Sequence, residues 1–327
     1  MHGLLIGAWV AQTITAIADL GVADALASGP LSIEDLADKV DADADALRRA
    51  LRAVMSKGIF AQRDDGRYEL TPMAELLRSD ASVSMTALAR FVGARQEREH
   101  WSTLTEAIRT GTSRVGALRG KPFFDYLSED PEYSQIFNDA MTSISAYVNE
   151  PLVEAYDFRQ FDTIVDVAGG HGRLLAAVLE SAPLACGVLF DLPEVVAGAT
   201  PLLEELNVAD RVRLAKGSFF ENIPAGGDAY LLKHIIHDWS DDAALQILKN
   251  VRQAAASGAV LLLVETVIPE DNREFTGKFV DMEMLLFNDG RERTATEYCE
   301  LLHRAGWQMT RVVDTTTDFS IVEARAV

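Results

Sequence analysis

Hydrophobic positions change rhythm along this chain. Up to about residue 150 they recur mostly at helical spacing, interrupted by one hairpin, and from Phe161 onward short strand-like apolar runs alternate with amphipathic helices. Residues 4 to 20 carry apolar side chains around much of a helix, which implies burial between elements or between subunits. Leu31-Ser32-Ile33-Glu34-Asp35-Leu36 opens a short helix, with Ser32 as N-cap and Asp35 in a capping-box-like place. The pattern then predicts a helix over residues 43 to 57 and a hairpin from runs 59–63 and 67–70 around Asp64-Asp65-Gly66. Helix, helix, hairpin is a winged-helix arrangement. Residues 83 to 150 read as helices broken at Gly111, Gly116, Gly120 and Pro122. Their large apolar groups are mostly core, with one or two left to wall a flat substrate. Beyond them, strands are expected at 163–167, 187–190, 211–215, 229–233, 259–266, 308–313 and 320–324, the last two pairing antiparallel at an edge. Strand-helix alternation of this kind makes an α/β fold, a Rossmann-like parallel sheet covered on both faces.

Composition narrows the partners. The chain has 327 residues, 48% of them hydrophobic, which suits a compact protein of two domains. A net charge of −20 opposes nucleic acid and anionic membranes and favours small neutral or cationic ligands. The helix over 43 to 57 carries Arg48, Arg49, Arg52 and Lys57, as a DNA-binding regulator would, but Asp41, Asp43 and Asp45 crowd the end that would meet bases. The two cysteines, Cys186 and Cys299, form neither a disulfide framework nor a metal-ligand spacing, so a reducing cytoplasm is expected. The opening Met1 to Val10 is apolar but has no basic flank and is soon interrupted by Gln12 and Asp19. It reads as a buried helix, neither signal nor membrane span.

Candidate chemistry gathers in two places. Thr163-Ile164-Val165 leads to Asp166, then to the turn Ala168-Gly169-Gly170-His171-Gly172, then to a helix from Arg173 to about Ser181. The next apolar run, 187–190, ends on Asp191, where an α/β sheet offers a ribose its hydroxyl acceptor. A dinucleotide fingerprint would need a third glycine where Leu175 stands. Asp166 would repel a pyrophosphate and attract the cationic S-adenosylmethionine. A plain α/β turn, its glycines there for steric reasons, is the alternative. The second place is Leu231 to Asp242, after the fourth strand, at the carboxyl edge where such sheets bind ligands.

Five stretches carry a resemblance: VDVAGGHG (165–172), FDLP (190–193), GSFF (217–220), LLKHIIHDWSDD (231–242) and GRERT (290–294). In that order and spacing, over nearly the whole chain, they resemble the class I S-adenosylmethionine-dependent O-methyltransferases of the plant caffeate and bacterial polyketide or phenazine type. The resemblance implies a seven-stranded methyltransferase sheet over 151–327, a winged-helix dimerisation domain over 1–95 and a helical region over 96–150 that contributes to the substrate pocket. It implies S-adenosylmethionine as cofactor, a small aromatic hydroxyl substrate, a homodimer, and no metal, nucleic acid or membrane. His237 would be the catalytic base, flanked by Glu265 and Glu292. Asp191 would hold the ribose, with Asp166, Ala168, Gly170, Leu192, Ser218, Phe219 and Lys233 lining the cofactor. Met141, Asn149, Asp238, Met284 and Asn288 would line the substrate.

Some positions depart from that family's pattern. Ala168 stands where glycine is usual, which requires a negative φ there and a slightly tighter cofactor wall. Ser218 replaces an aspartate and accepts a hydrogen bond without charge, so weaker cofactor affinity is expected. His171 fills a commonly small position. A phenol of pKa about 10 is mostly neutral at pH 7, so a general base is useful, and histidine is available for it. The plainer reading of His237 is a helix-entry histidine stacked on Trp239, and His234 reads as structural. A relative repurposed for hydroxylation, decarboxylation or cyclisation is the second enzymatic reading.

Overall fold

The computed structural model describes the backbone of residues 1–327 and every side chain except that of Asn288, so the expected role of Asn288 lies outside the described residues. The chain divides into two compact units, residues 1–102 with 124–147, and residues 103–123 with 148–327.

In the first unit the apolar opening is not buried within the single chain, which leaves burial between subunits as the expectation for it. It forms His2–Leu5 and Gly7–Asp19, separated at Ile6. Met1, Leu4, Leu5 and Trp9 are 88, 82, 71 and 71% exposed, because only the later turns, through Thr15, Ile17 and Ala18, face this chain's own core. Ser32 caps helix Ile33–Lys39 by accepting from the Asp35 N–H at 3.1 Å. Asp35 answers through the Ser32 hydroxyl, so only half of a capping box forms. Asp43 caps helix Ala44–Met55 in the same way, and the two-residue strands Ala61–Gln62 and Tyr68–Glu69 close the hairpin. Leu36, Leu47, Leu51 and Tyr68 join these elements in one core. Arg48 is engaged by Glu34 and Asp45, at 3.5 and 3.1 Å.

The second unit contains a seven-stranded sheet. Its strands are β1 (Thr163–Val167), β2 (Cys186–Asp191), β3 (Val212–Lys216), β4 (Ala229–Lys233), β5 (Val260–Glu265), β6 (Trp307–Asp314) and β7 (Ser320–Ala326). The spatial order is β6-β7-β5-β4-β1-β2-β3, and β7 alone runs opposite to the other six. Strands buried on both faces read as unbroken apolar runs, as residues 260–264 do before the strand ends on Glu265. Sequence neighbours part company between β1 and β4, and their carboxyl ends there frame the crevice in which such sheets bind ligands. Helix ends fall at Gly111 and Gly120, both left-handed with φ 68° and 78°. Gly116 breaks nothing, since it lies inside helix Val115–Arg119.

Candidate functional site

The turn after β1 is held by the end of β2. The Ala168 N–H donates to the Phe190 carbonyl at 2.7 Å, and the Gly170 N–H to Asp191 Oδ2 at 2.8 Å. Asp191 Oδ1 accepts from the Leu192 N–H at 2.7 Å. Each carboxylate oxygen keeps a lone pair for a further donor. The expectation of a negative φ at Ala168 is wrong: φ is 58°, and the left-handed region recurs at Gly170 and Gly172. Alanine is tolerated because the surrounding hydrogen bonds fix the turn, at a cost of about 1–2 kcal/mol. Gly169 has a different reason to be glycine, since a Cβ there would lie 2.3 Å from Asp166 Oδ2.

That Asp166 carboxylate is 2% exposed, and its Oδ2 has no hydrogen-bond partner. Burial pushes its pKa up to about 7, with Lys233 pulling it back and Asp191 pushing it further. Burial also lowers Lys233, to about 8, against the opposing pull of Asp166. Ser218 uses its hydroxyl to accept from the Phe220 N–H at 3.2 Å. Phe219 and Phe220 both meet Trp239 edge-on, at centroid separations of 5.8 and 4.8 Å. Leu192 is half-exposed beside Asp191.

The second cluster lies beyond the ends of β4 and β5. His237 sits on a short 3-10 turn, Ile236–Asp238, and its Nδ1 lies 2.8 Å from Glu292 Oε1 and 3.9 Å from Glu265 Oε2. Its Nε2 is 3.5 Å from Asp238 Oδ1. Glu265, fully buried, accepts through Oε1 from the N–H groups of Ile235 and Ile236, at 3.2 and 2.8 Å. Its Oε2 and Glu292 Oε2 are left without partners. Burial alone would lower the His237 pKa, but Glu292, Asp238 and Glu265 together raise it to about 10. The same burial raises Glu265 to about 7 and Asp238 above its ordinary value, with His237 opposing both. The Glu292 contact engages Nδ1, so Nε2 is the nitrogen that gains or loses its proton as the ring titrates.

His237 is not stacked on Trp239, whose ring meets Phe219 and Phe220. The neighbouring ring is His234, 5.4 Å away by centroid and packed at 4.4 Å on Phe319. Burial, then His237 and Lys233, hold His234 well below the usual histidine range, so it is neutral. Asn149 is buried with Oδ1 unpartnered, and Met284 is half-buried on helix Gly277–Asn288. Met141 belongs to the other compact unit, half-buried on helix Pro131–Ala155. Within the stretch 290–294 the neighbours of Glu292 are engaged in the site as well, although the sequence motif singles out Glu292 alone. A Cβ on Gly290 would lie 2.3 Å from the His237 carbonyl, and the Arg291 N–H donates to that carbonyl at 2.8 Å. Arg293 is 1% exposed and donates into the same loop. A glycine before an arginine-rich run was the available signal for a close backbone approach.

Comparison with known proteins matches residues 101–308 to an O-methyltransferase domain and residues 3–80 to an O-methyltransferase dimerisation domain. The chain is 40% identical over 324 residues to the phenazine O-methyltransferase PhzM of Lysobacter antibioticus, covering 99% of this chain and 95% of that protein. It is 33% identical to the 8-amino-8-demethylriboflavin N,N-dimethyltransferase of Streptomyces davaonensis, over 97% of this chain and 92% of that one. Among solved structures, the neocarzinostatin-biosynthesis O-methyltransferase NcsB1, in complex with S-adenosylmethionine and 2-hydroxy-5-methyl naphthoic acid, superposes with a TM-score of 0.79 at 30% identity, covering 97% of this chain and 96% of that one.

Proposed function

The chain belongs to the O-methyltransferase family with an N-terminal dimerisation domain, and from that premise we propose that it methylates a hydroxyl of a small phenolic metabolite, with His237 as general base. The family uses S-adenosylmethionine, and the turn after β1 fits a cationic ligand: Asp166 presents a buried carboxylate oxygen with no partner. Asp191, Gly170 and Lys233 would hold the cofactor together with Asp166, while Ala168, Leu192, Ser218 and Phe219 would border it. When bound, it supplies a methyl group on a positively charged sulfur.

The observation that carries the reading is the 2.8 Å contact between His237 Nδ1 and Glu292. It fixes the ring and leaves Nε2 to take the acceptor proton. The carboxylates around His237 raise its conjugate acid above the ordinary histidine range, toward that of a phenol, which makes the ring a stronger base for a phenolic proton. A charged ring beside a phenolate and a neutral ring beside a phenol hold the same number of protons, and both lead to the same reaction. Asp238, Asn149 and Met284 would border the acceptor.

One relative is an N,N-dimethyltransferase, so an amine acceptor is the second reading. The test is mass spectrometry of phenolic and aromatic-amine panels incubated with the protein and methyl-labelled cofactor. A single added methyl on a hydroxyl is expected. Label appearing only on amines would overturn the hydroxyl assignment, and no label on any compound would remove its support.

A further inference from the structure

A guanidinium withdrawn from water needs its donors answered, and Arg293 is 1% exposed. Its partners come from one loop and one segment. Nη1 donates to the Ile236 carbonyl at 3.0 Å and the Arg291 carbonyl at 3.3 Å. Nη2 donates to the Trp239 carbonyl at 3.1 Å and to Asp241 Oδ1 at 2.8 Å, and Nε reaches the same oxygen at 3.2 Å. Ile236 and Trp239 bracket His237, and Arg291 precedes Glu292. The fork therefore spans the loop that carries the imidazole and the segment that carries its carboxylate. Asp241 is 47% exposed, so pairing with it alone would not require the arginine to be buried. A lysine would keep the charge but not reach several carbonyls in a plane.

We propose that Arg293 is a positioning residue of the methyl-transfer site, setting the His237–Glu292 contact by fastening residues 236–241 to residues 291–293. The proposal rests on the reading of His237 as base. Without the fork, Glu292 would sit less squarely on Nδ1, and the imidazolium would lose its nearest stabilising charge. Asp238 and Glu265 would still face the ring, as would neutral His234. Asp281, which accepts from the Glu292 N–H, and Tyr298, buried beside Glu265, Glu292 and Arg293, complete the surroundings.

The experiment measures the His237 titration by NMR of ¹⁵N-histidine-labelled protein without ligand, and the pH profile of kcat/KM on an acceptor from the panel. The variants are Arg293→Lys, Glu292→Gln, their double and Asp241→Asn. Glu292→Gln should lower the His237 pKa, and Arg293→Lys should lower it in the same direction. The double variant should go little further than Glu292→Gln alone, because both changes remove one interaction. Turnover in Arg293→Lys should fall roughly ten- to a hundredfold with cofactor affinity unchanged. Asp241→Asn, which loosens only the exposed end of the fork, should give a smaller shift and stands in if Arg293→Lys does not fold. An Arg293→Lys protein that melts earlier but titrates like wild type would overturn the proposal, leaving Arg293 a purely structural residue. Wild-type protein that methylates nothing would count against the functional reading, while the NMR titrations would still decide the positioning.

Discussion

At the scale of the residue, acid-base chemistry is set by what surrounds each group. Replacing His237 with alanine should lower turnover about 10²- to 10⁴-fold while leaving cofactor binding nearly intact. For the wild type, kcat/KM should rise with pH through an apparent pKa above 6.5, since nearby carboxylates favour the charged ring and the proton must leave before the base can act. A pH profile in which His237→Ala keeps that limb would assign it to another group. Asp166 makes a second expectation. Because burial raises its pKa to about 7, it gains its charge as pH rises from 6 to 8, and affinity for cationic S-adenosylmethionine should strengthen roughly tenfold over that range. Calorimetry should find this slope flattened in Asp166→Asn; a slope unchanged by the substitution would move the effect elsewhere. The residues behind these expectations were legible as types at fixed spacings. What could not be read was the φ of Ala168 or the burial of Arg293, because both are set by backbone and side chains brought in from distant segments.

At the scale of the element, the strands were the most legible part, since β1, β2, β4 and β5 are short, mainly apolar and buried runs bounded by turn residues. Helix breaks were less so. Gly116 looks like Gly111 and Gly120 in sequence, yet only the latter two take left-handed backbone. A glycine permits that conformation without requiring it. Ala168 is the converse, a residue held there without glycine's freedom. Ala168→Gly should therefore stabilise the protein by up to about 1 kcal/mol, relief of the left-handed alanine exceeding the added freedom of the unfolded chain. A denaturant midpoint lower than wild type would show that the alanine side chain contributes packing that outweighs its backbone cost.

At the scale of the whole molecule, the exposed face of the first two helices calls for a partner. Leu4, Leu5 and Trp9 leave an apolar surface bare on a single chain, within the region matched to a dimerisation domain. Light scattering should give twice the 35.7 kDa of one chain, and Leu5→Lys with Trp9→Lys should shift it toward one. A wild-type monomer at micromolar concentration would sink this expectation. No helix among the described residues is long and apolar enough to cross a membrane. The position of β7 has a consequence for synthesis. It lies between β5 and β6 and is paired on both sides, so a nascent chain that has not yet emitted residues 320–326 cannot close the sheet. Until then the edge of β5, Val-Leu-Leu-Leu-Val-Glu, stays open to other chains, and a chain stopped before Ser320 should collect in the insoluble fraction of a translation reaction while the longer one stays in solution.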